Sequence, residues 1–182
     1  MRRLIAISLL CTGVIFTGCQ ALIPAAPGLI NPQWQAMQYQ RQDQVEVQWK
    51  DKSFSFLLYQ TQQASQLELL ALSLTGQVLF QLQYDGQQVK VIQRIDAMKL
   101  LPFDFVVRDI LFATYPQFAT ATIADVEMQQ QEQQRVIYIK QQPVLNIQVQ
   151  EDGIDVYNQQ VPYQMHFSAV ENTLEDLPKD AS

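Results

Sequence analysis

The chain has one histidine, two cysteines, six glycines and no cluster of lysine or arginine among its 182 residues. Each shortage excludes a class of chemistry. A metal centre needs several converging ligands, and His166 stands alone between Met165 and Phe167 in an alternating stretch. Cys11 and Cys19 both lie near the amino end, so no later pair exists to oxidise and a folded domain must hold by packing alone. No serine sits in a nucleophile elbow and no Gly-rich loop cradles a phosphate. Asp104, Asp109, Asp125 and Glu127 are the candidate acid–base carboxylates, but scattered in this way they read as solvated surface. An enzyme is therefore not expected, and neither is a cofactor or a metal. Twelve basic residues against eighteen acidic ones leave a net charge of −6. That balance repels phosphate backbones, which argues against nucleic acid as a partner. It also argues against a basic amphipathic helix at a membrane surface.

What is present begins at the first residue. Two arginines precede an apolar run from Leu4 to Phe16, followed by Thr17-Gly18-Cys19. The run is too short to span a bilayer, which takes about 20 apolar residues, and reads as a cleavable signal peptide over residues 1–18. The tetrad Phe16-Thr17-Gly18-Cys19 resembles a bacterial lipobox, in which the cysteine receives a diacylglycerol and becomes the first residue. Cys11 follows the bulky Leu10, so Cys19 is the expected site of lipid attachment. Gln20 rather than aspartate follows it, which by analogy with lipoprotein sorting sends the protein to the outer membrane, facing the periplasm. Cleavage removes Arg2 and Arg3 and takes the net charge to −8. Roughly 160 residues remain, enough for one domain with a core.

Residues 19–33 hold Pro24, Pro27, Gly28 and Pro32 and read as the lipidated cysteine and an extended, mobile tether. Gln33 to Arg41 has the spacing of a short helix, with Trp34, Met37 and Arg41 on one side. From Val45 the period becomes two: Val45, Val47 and Trp49, then Phe54, Phe56 and Leu58 beyond the Asp51-Lys52 turn. Leu67–Leu74 and Gln77–Tyr84 pair around Thr75-Gly76, and Asp85-Gly86 and Asp152-Gly153 mark further hairpins. Phe103, Val106, Val107, Ile110 and Leu111 recur at three and four, which predicts a helix with Pro102 near its first turn. A second helical turn is expected through Ala121. Strands resume from Val126 and end with Tyr163–Phe167, and an acidic tail with few apolar groups covers 171–182. The many glutamines alternate with apolar residues and read as uncharged solvent-facing positions on a sheet. The Arg108-Asp109 pair in the helix has two readings. One is a helix rim, with the arginine head in water; the other is a gate that ties the helix to the sheet until cargo displaces it.

The expected fold is mainly β with a helical insertion (α+β): a curved antiparallel half-barrel of about ten strands wrapped over helices, occupying residues 34–170. Such a sheet can leave an apolar cavity suited to acyl chains. Asn31-Pro32-Gln33-Trp34-Gln35 looks like the start of the LolB domain, the outer-membrane receptor that accepts lipoproteins from the carrier LolA. Leu67-Glu68-Leu69-Leu70 to Leu82, with Leu74-Thr75-Gly76 at its turn, is similar to the LolB hairpin whose tip leucine inserts lipoproteins into the membrane. The turn here is shorter and lacks a proline before the leucine. Leu101-Pro102 through Arg108-Asp109-Ile110-Leu111 to Tyr115-Pro116 resembles more closely a LolB-like lipoprotein family of unassigned function, whose members occur with gene clusters for aryl polyene and related fatty-acid-type synthesis. Pro162-Tyr163-Gln164-Met165-His166-Phe167 fits the closing strand of that family.

The resemblance implies a LolA/LolB-like fold that shelters the hydrophobic tail of a lipid, aryl polyene or lipoprotein without making or breaking a bond, with a LolA-like periplasmic protein as candidate donor; a monomer is expected. Trp49, Phe54, Phe56, Leu58, Phe80 and Leu82 are the candidates for the cavity face, and Phe103, Val107 and Leu111 for the lid. By position Leu74 is either the membrane-probing residue or an ordinary core leucine at a strand end. The alternative function is a non-carrier interaction lipoprotein that docks on a membrane enzyme or transporter through an exposed apolar patch. An acyl hydrolase or transferase ranks third, because nucleophile and base are missing.

Overall fold

The computed structural model describes residues 26–118 and 121–170. Five strands come first: β1 (Tyr39–Trp49), β2 (Lys52–Gln63), β3 (Gln66–Leu72), β4 (Val78–Tyr84) and β5 (Val89–Arg94). A 3₁₀ turn (Asp96–Met98) and one helix, α1 (Phe103–Thr114), separate them from β6 (Val126–Gln131), β7 (Gln134–Ile139), β8 (Gln142–Val149), β9 (Ile154–Asn158) and β10 (Tyr163–Ala169). All ten strands form one antiparallel sheet in the order β5-β4-β3-β2-β1-β10-β9-β8-β7-β6. The two series of hairpins meet where β1 pairs with β10, with Val45 opposite Phe167 and Trp49 opposite Tyr163. Register shifts at Ala71/Leu72, Gln81/Leu82 and Ile137/Tyr138 bend their strands.

Alternation decides the core. Val45, Val47, Phe56, Leu58, Leu69, Ala71, Phe80, Leu82, Ile147, Val156, Met165 and Phe167 share one face through the strand registers and are all buried. α1 lies against that face. Every residue of α1 from Val106 to Thr114 is buried, Arg108, Asp109 and Thr114 among the apolar ones. At the carboxyl end of α1, Arg135 of β7 donates to the carbonyls of Phe112 and Ala113 at 3.4 and 3.2 Å, satisfying groups that a helix end leaves unpaired.

Three expectations are corrected. Residues 33–38 contain no helix, and β1 begins at Tyr39, because the backbone there bonds outward: the Met37 N–H donates to the Ala64 carbonyl at 3.1 Å. Among the described residues one α-helix, rather than several, fills the sheet, and residues 116–118 form a turn. Residues 26–33 are no loose tether: Ala26, Leu29 and Asn31 are buried, and the Leu29 carbonyl accepts the Tyr84 hydroxyl at 2.5 Å. Trp34 completes this segment, with its indole N–H on the Ser65 carbonyl at 2.8 Å and its ring centroid 4.9 Å from that of Tyr84 and 5.1 Å from that of Tyr115. Gly86 passes so close, at φ +93°, that a Cβ there would lie 2.5 Å from Trp34 Cβ. The signal peptide, Cys19 and the 171–182 tail lie outside the described residues.

Candidate functional site: an apolar cleft and a buried polar cluster

The β1–β2 turn and the segment leading into α1 stand apart. They leave an open cleft of about 680 Å³, whose lining includes Trp49, Phe54, Ala97, Met98, Leu100 and Leu101. Lys50, Asp51 and Lys52 line its edge, and the Lys50 ammonium lies 6.0 Å from the Trp49 ring centroid. Leu100 is 83% exposed, the most exposed large apolar side chain of the described residues. An aromatic row runs inward from this cleft. Phe54 stacks on Phe56 with centroids 6.1 Å apart, Phe56 meets Phe80 edge-on at 5.6 Å, and Phe80 meets Phe103 at 5.3 Å.

The structure thus divides the candidate residues by depth. Trp49 and Phe54 are half-buried at the cleft, whereas Phe56, Leu58, Phe80 and Leu82 form the packed concave face. Phe103, Val107 and Leu111 are buried on α1, against that face. Leu74 stands apart, 63% exposed in the β3–β4 turn, so it is not a core leucine. Sequence reading missed Met98, Leu100 and Leu101, which sit in the 3₁₀ turn and the loop after it, with no periodicity to mark them.

Arg108 and Asp109 are both 0% exposed, which overturns the helix-rim reading with its head in water. Arg108 Nε donates to Asp109 Oδ1 at 2.8 Å, and its Nη1 donates to the Pro27 carbonyl at 3.1 Å and to Gln160 Oε1 at 2.9 Å. Its Nη2 has no hydrogen-bond partner among the described residues, and the guanidinium carbon lies 5.0 Å from the Phe105 ring centroid. Asp109 Oδ2 accepts Asn158 Nδ2 at 2.5 Å and the Tyr163 hydroxyl. Burial pushes the Asp109 carboxyl above the ordinary range, while Arg108, Tyr163 and Asn158 pull the other way. The Tyr163 hydroxyl is pushed well up by burial and by the adjacent carboxylate. The cluster therefore ties the middle of α1 to β9, to β10 and to the amino-terminal segment.

A second polar group lies at the carboxyl end of α1. Gln60 and Gln62 of β2 point to the concave face and are buried, contrary to the solvent-facing reading of the glutamines. Gln60 shares a hydrogen bond of 3.1 Å with Thr114 Oγ1, and Gln62 Oε1 accepts the Tyr115 hydroxyl. Burial holds the Tyr115 hydroxyl up to about 12, so it stays a donor across the physiological range. Asp43, also buried, accepts two hydrogen bonds from Arg41 at 2.7 and 2.8 Å.

His166 lies in the row Ser55–Glu46–His166–Asp155, fixed by the strand registers, and its Nδ1 is 2.7 Å from Asp155 Oδ1. Among the described residues no three His, Cys, Asp or Glu side chains converge as metal ligands. Asp104 lies in the first turn of α1, and Asp125 and Glu127 flank the start of β6, apart from Asp109.

A comparison with curated proteins returned no match. Residues 40–171, from the second residue of β1 to just past β10, match the family described as "Protein of unknown function (DUF3261)", and the chain belongs to that family.

Proposed function

We propose that this protein is an outer-membrane lipoprotein, anchored through Cys19 and facing the periplasm, that binds the apolar tail of a lipid or lipidated molecule and delivers it to the membrane, as LolB-like proteins do. The observation that carries the reading is the apolar cleft, whose floor of Trp49 and Phe54 continues into the aromatic row. Its volume falls within the roughly 300–1,000 Å³ of small-molecule sites. Shielding each CH₂ group from water contributes about 0.8 kcal/mol, and release follows because the bilayer offers an equally apolar home. A LolA-like donor and an acyl chain, aryl polyene or lipoprotein as cargo fit this chemistry, which breaks no bond. One observation favours a second reading. α1 already fills the concave face, as a non-carrier docking lipoprotein with a filled core requires.

Native mass spectrometry on the soluble domain, expressed in the periplasm with Cys19 replaced, tests the proposal. Copurified lipid at one per chain is the expected result. A clean apo mass, with no uptake of a fluorescent fatty acid, moves the conclusion to the docking protein. Leu74→Glu probes delivery separately. Because Leu74 is exposed, stability should change by less than about 0.5 kcal/mol, while transfer of cargo to vesicles falls. Unchanged transfer removes Leu74 from the pathway.

A further inference from the structure

The amino-terminal segment and the chemistry of the sheet ends bear on which way the domain faces, given the lipid anchor proposed above. The segment bridges the β6–β7 side of the half-barrel to the β4–β5 turn. At one end, the Pro27 carbonyl accepts Arg108, and a Cβ on Gly28 would lie 2.9 Å from Ile139 Cδ1 and 3.2 Å from Val126 Cγ2. At the other, the Asn31 N–H donates to the Gly86 carbonyl and the Trp34 indole to the Ser65 carbonyl, at the β4–β5 and β2–β3 turns. Strand registers show that Ile139 and Val126 share the end of the sheet that carries the cleft. Trp49 pairs with Tyr163, Gln164 with Tyr157, Asn158 with Leu145 and Gln142 with Ile139. The chain therefore enters the folded domain at the cleft end.

The lead to the lipid is short. Only residues 20–25 separate Cys19 from the packed Ala26, a reach of at most roughly 25 Å, so a lipid on Cys19 lets the cleft end lie beside the bilayer.

The chemistry of the two ends agrees. Four of the five lysines among the described residues, Lys50, Lys52, Lys99 and Lys140, lie on or beside turns at the cleft end, together with exposed Leu100 and half-buried Trp49. Asp51, Asp96 and Asp125 accompany them, Asp96 2.9 Å from the Lys99 ammonium. The far turns carry Asp85, Glu132, Glu151 and Asp152. Lysines favour anionic headgroups, and Trp at a polar–apolar boundary favours the interface.

We propose that the cleft end, through Leu100, Trp49 and the Lys50, Lys52 and Lys99 rim, docks on the headgroups of the phospholipid bilayer that holds the Cys19 lipid. Cargo then passes between cleft and bilayer without crossing water.

The chain's two tryptophans lie at opposite ends, which supplies the test. The full lipidated protein is placed in vesicles of phosphatidylethanolamine and phosphatidylglycerol with brominated acyl chains, as Trp34→Phe and Trp49→Phe variants. Trp49 should lose most of its emission relative to unbrominated vesicles, and Trp34 should keep its own. Leu100→Glu in the two-tryptophan protein should remove most of the loss, a comparison that needs neither aromatic substitution to fold. Acylated protein with both tryptophans equally affected, or neither, overturns the orientation. Absence of the acyl mass on Cys19 in the same preparation overturns the anchor as well. Cargo occupancy plays no part in the readout.

Discussion

Arg108→Met is expected to destabilise the domain by about 3–5 kcal/mol near neutral pH, the cost of leaving a buried charge without its partner. That is a large share of the ~5–15 kcal/mol that holds a domain together. The substitution removes the Nε bond to Asp109 and the Nη1 bonds to Pro27 and Gln160. The loss should depend on pH. Burial already raises Asp109 above its ordinary value, with Arg108 among the groups opposing the rise. Without Arg108 the carboxyl rises further. Across the window between its unfolded and folded values the native state binds more protons than the unfolded chain, so stability falls as pH increases. The variant should therefore be closest to the parent in acid and furthest from it above the raised value. Urea midpoints measured at about pH 5 and about pH 8 read this directly. A pH-independent loss would mean that Asp109 is not the group left unpaired. Adding Asp109→Leu to the variant should recover much of the loss, since an apolar pair in place of a buried ion pair is often neutral or better.

Phe80→Ala is expected to cost about 3–5 kcal/mol, the range for deleting a buried ring. Phe80 is 1% exposed, between Phe56 on the sheet and Phe103 on the helix. Phe54→Ala, at the half-buried end of the same row, should cost clearly less. Unfolding of the two variants locates the boundary between core and cleft. A loss below about 1 kcal/mol at Phe80 would mean that the concave face collapses freely around the void, because the cavity penalty scales with what relaxation leaves behind.

Alternation made the sheet legible, since only one side of it packs on a helix. Val45, Val47 and Phe56, and the turns at Asp85-Gly86 and Asp152-Gly153, announced strands and hairpins that the structure contains. The apolar spacing from Phe103 to Leu111 announced α1 for the same reason. The amino-terminal segment was not legible. Ala26–Trp34 is held largely by backbone carbonyls and N–H groups, which every sequence has, and its prolines hide the packing of Leu29. Nor was the burial of Arg108 and Asp109, because Asn158, Tyr163 and Gln160 come from a distant part of the chain. Gln60 and Gln62 carried a usable signal. They continue the inward series Phe54, Phe56, Leu58 on β2, and side chains two apart share a face whatever their polarity.

The joint between β1 and β10 is the one strand pairing whose partners are remote in sequence, residues 43–49 against 163–169. Every other pairing joins consecutive strands. Local hairpins can form as soon as their residues meet, whereas this joint waits for loop closure over nearly the whole domain. Until then β1 offers an unpaired edge through Val45 and Val47, a template for pairing with other chains. Loss of β10 leaves that edge open for good, beside a second one on β9.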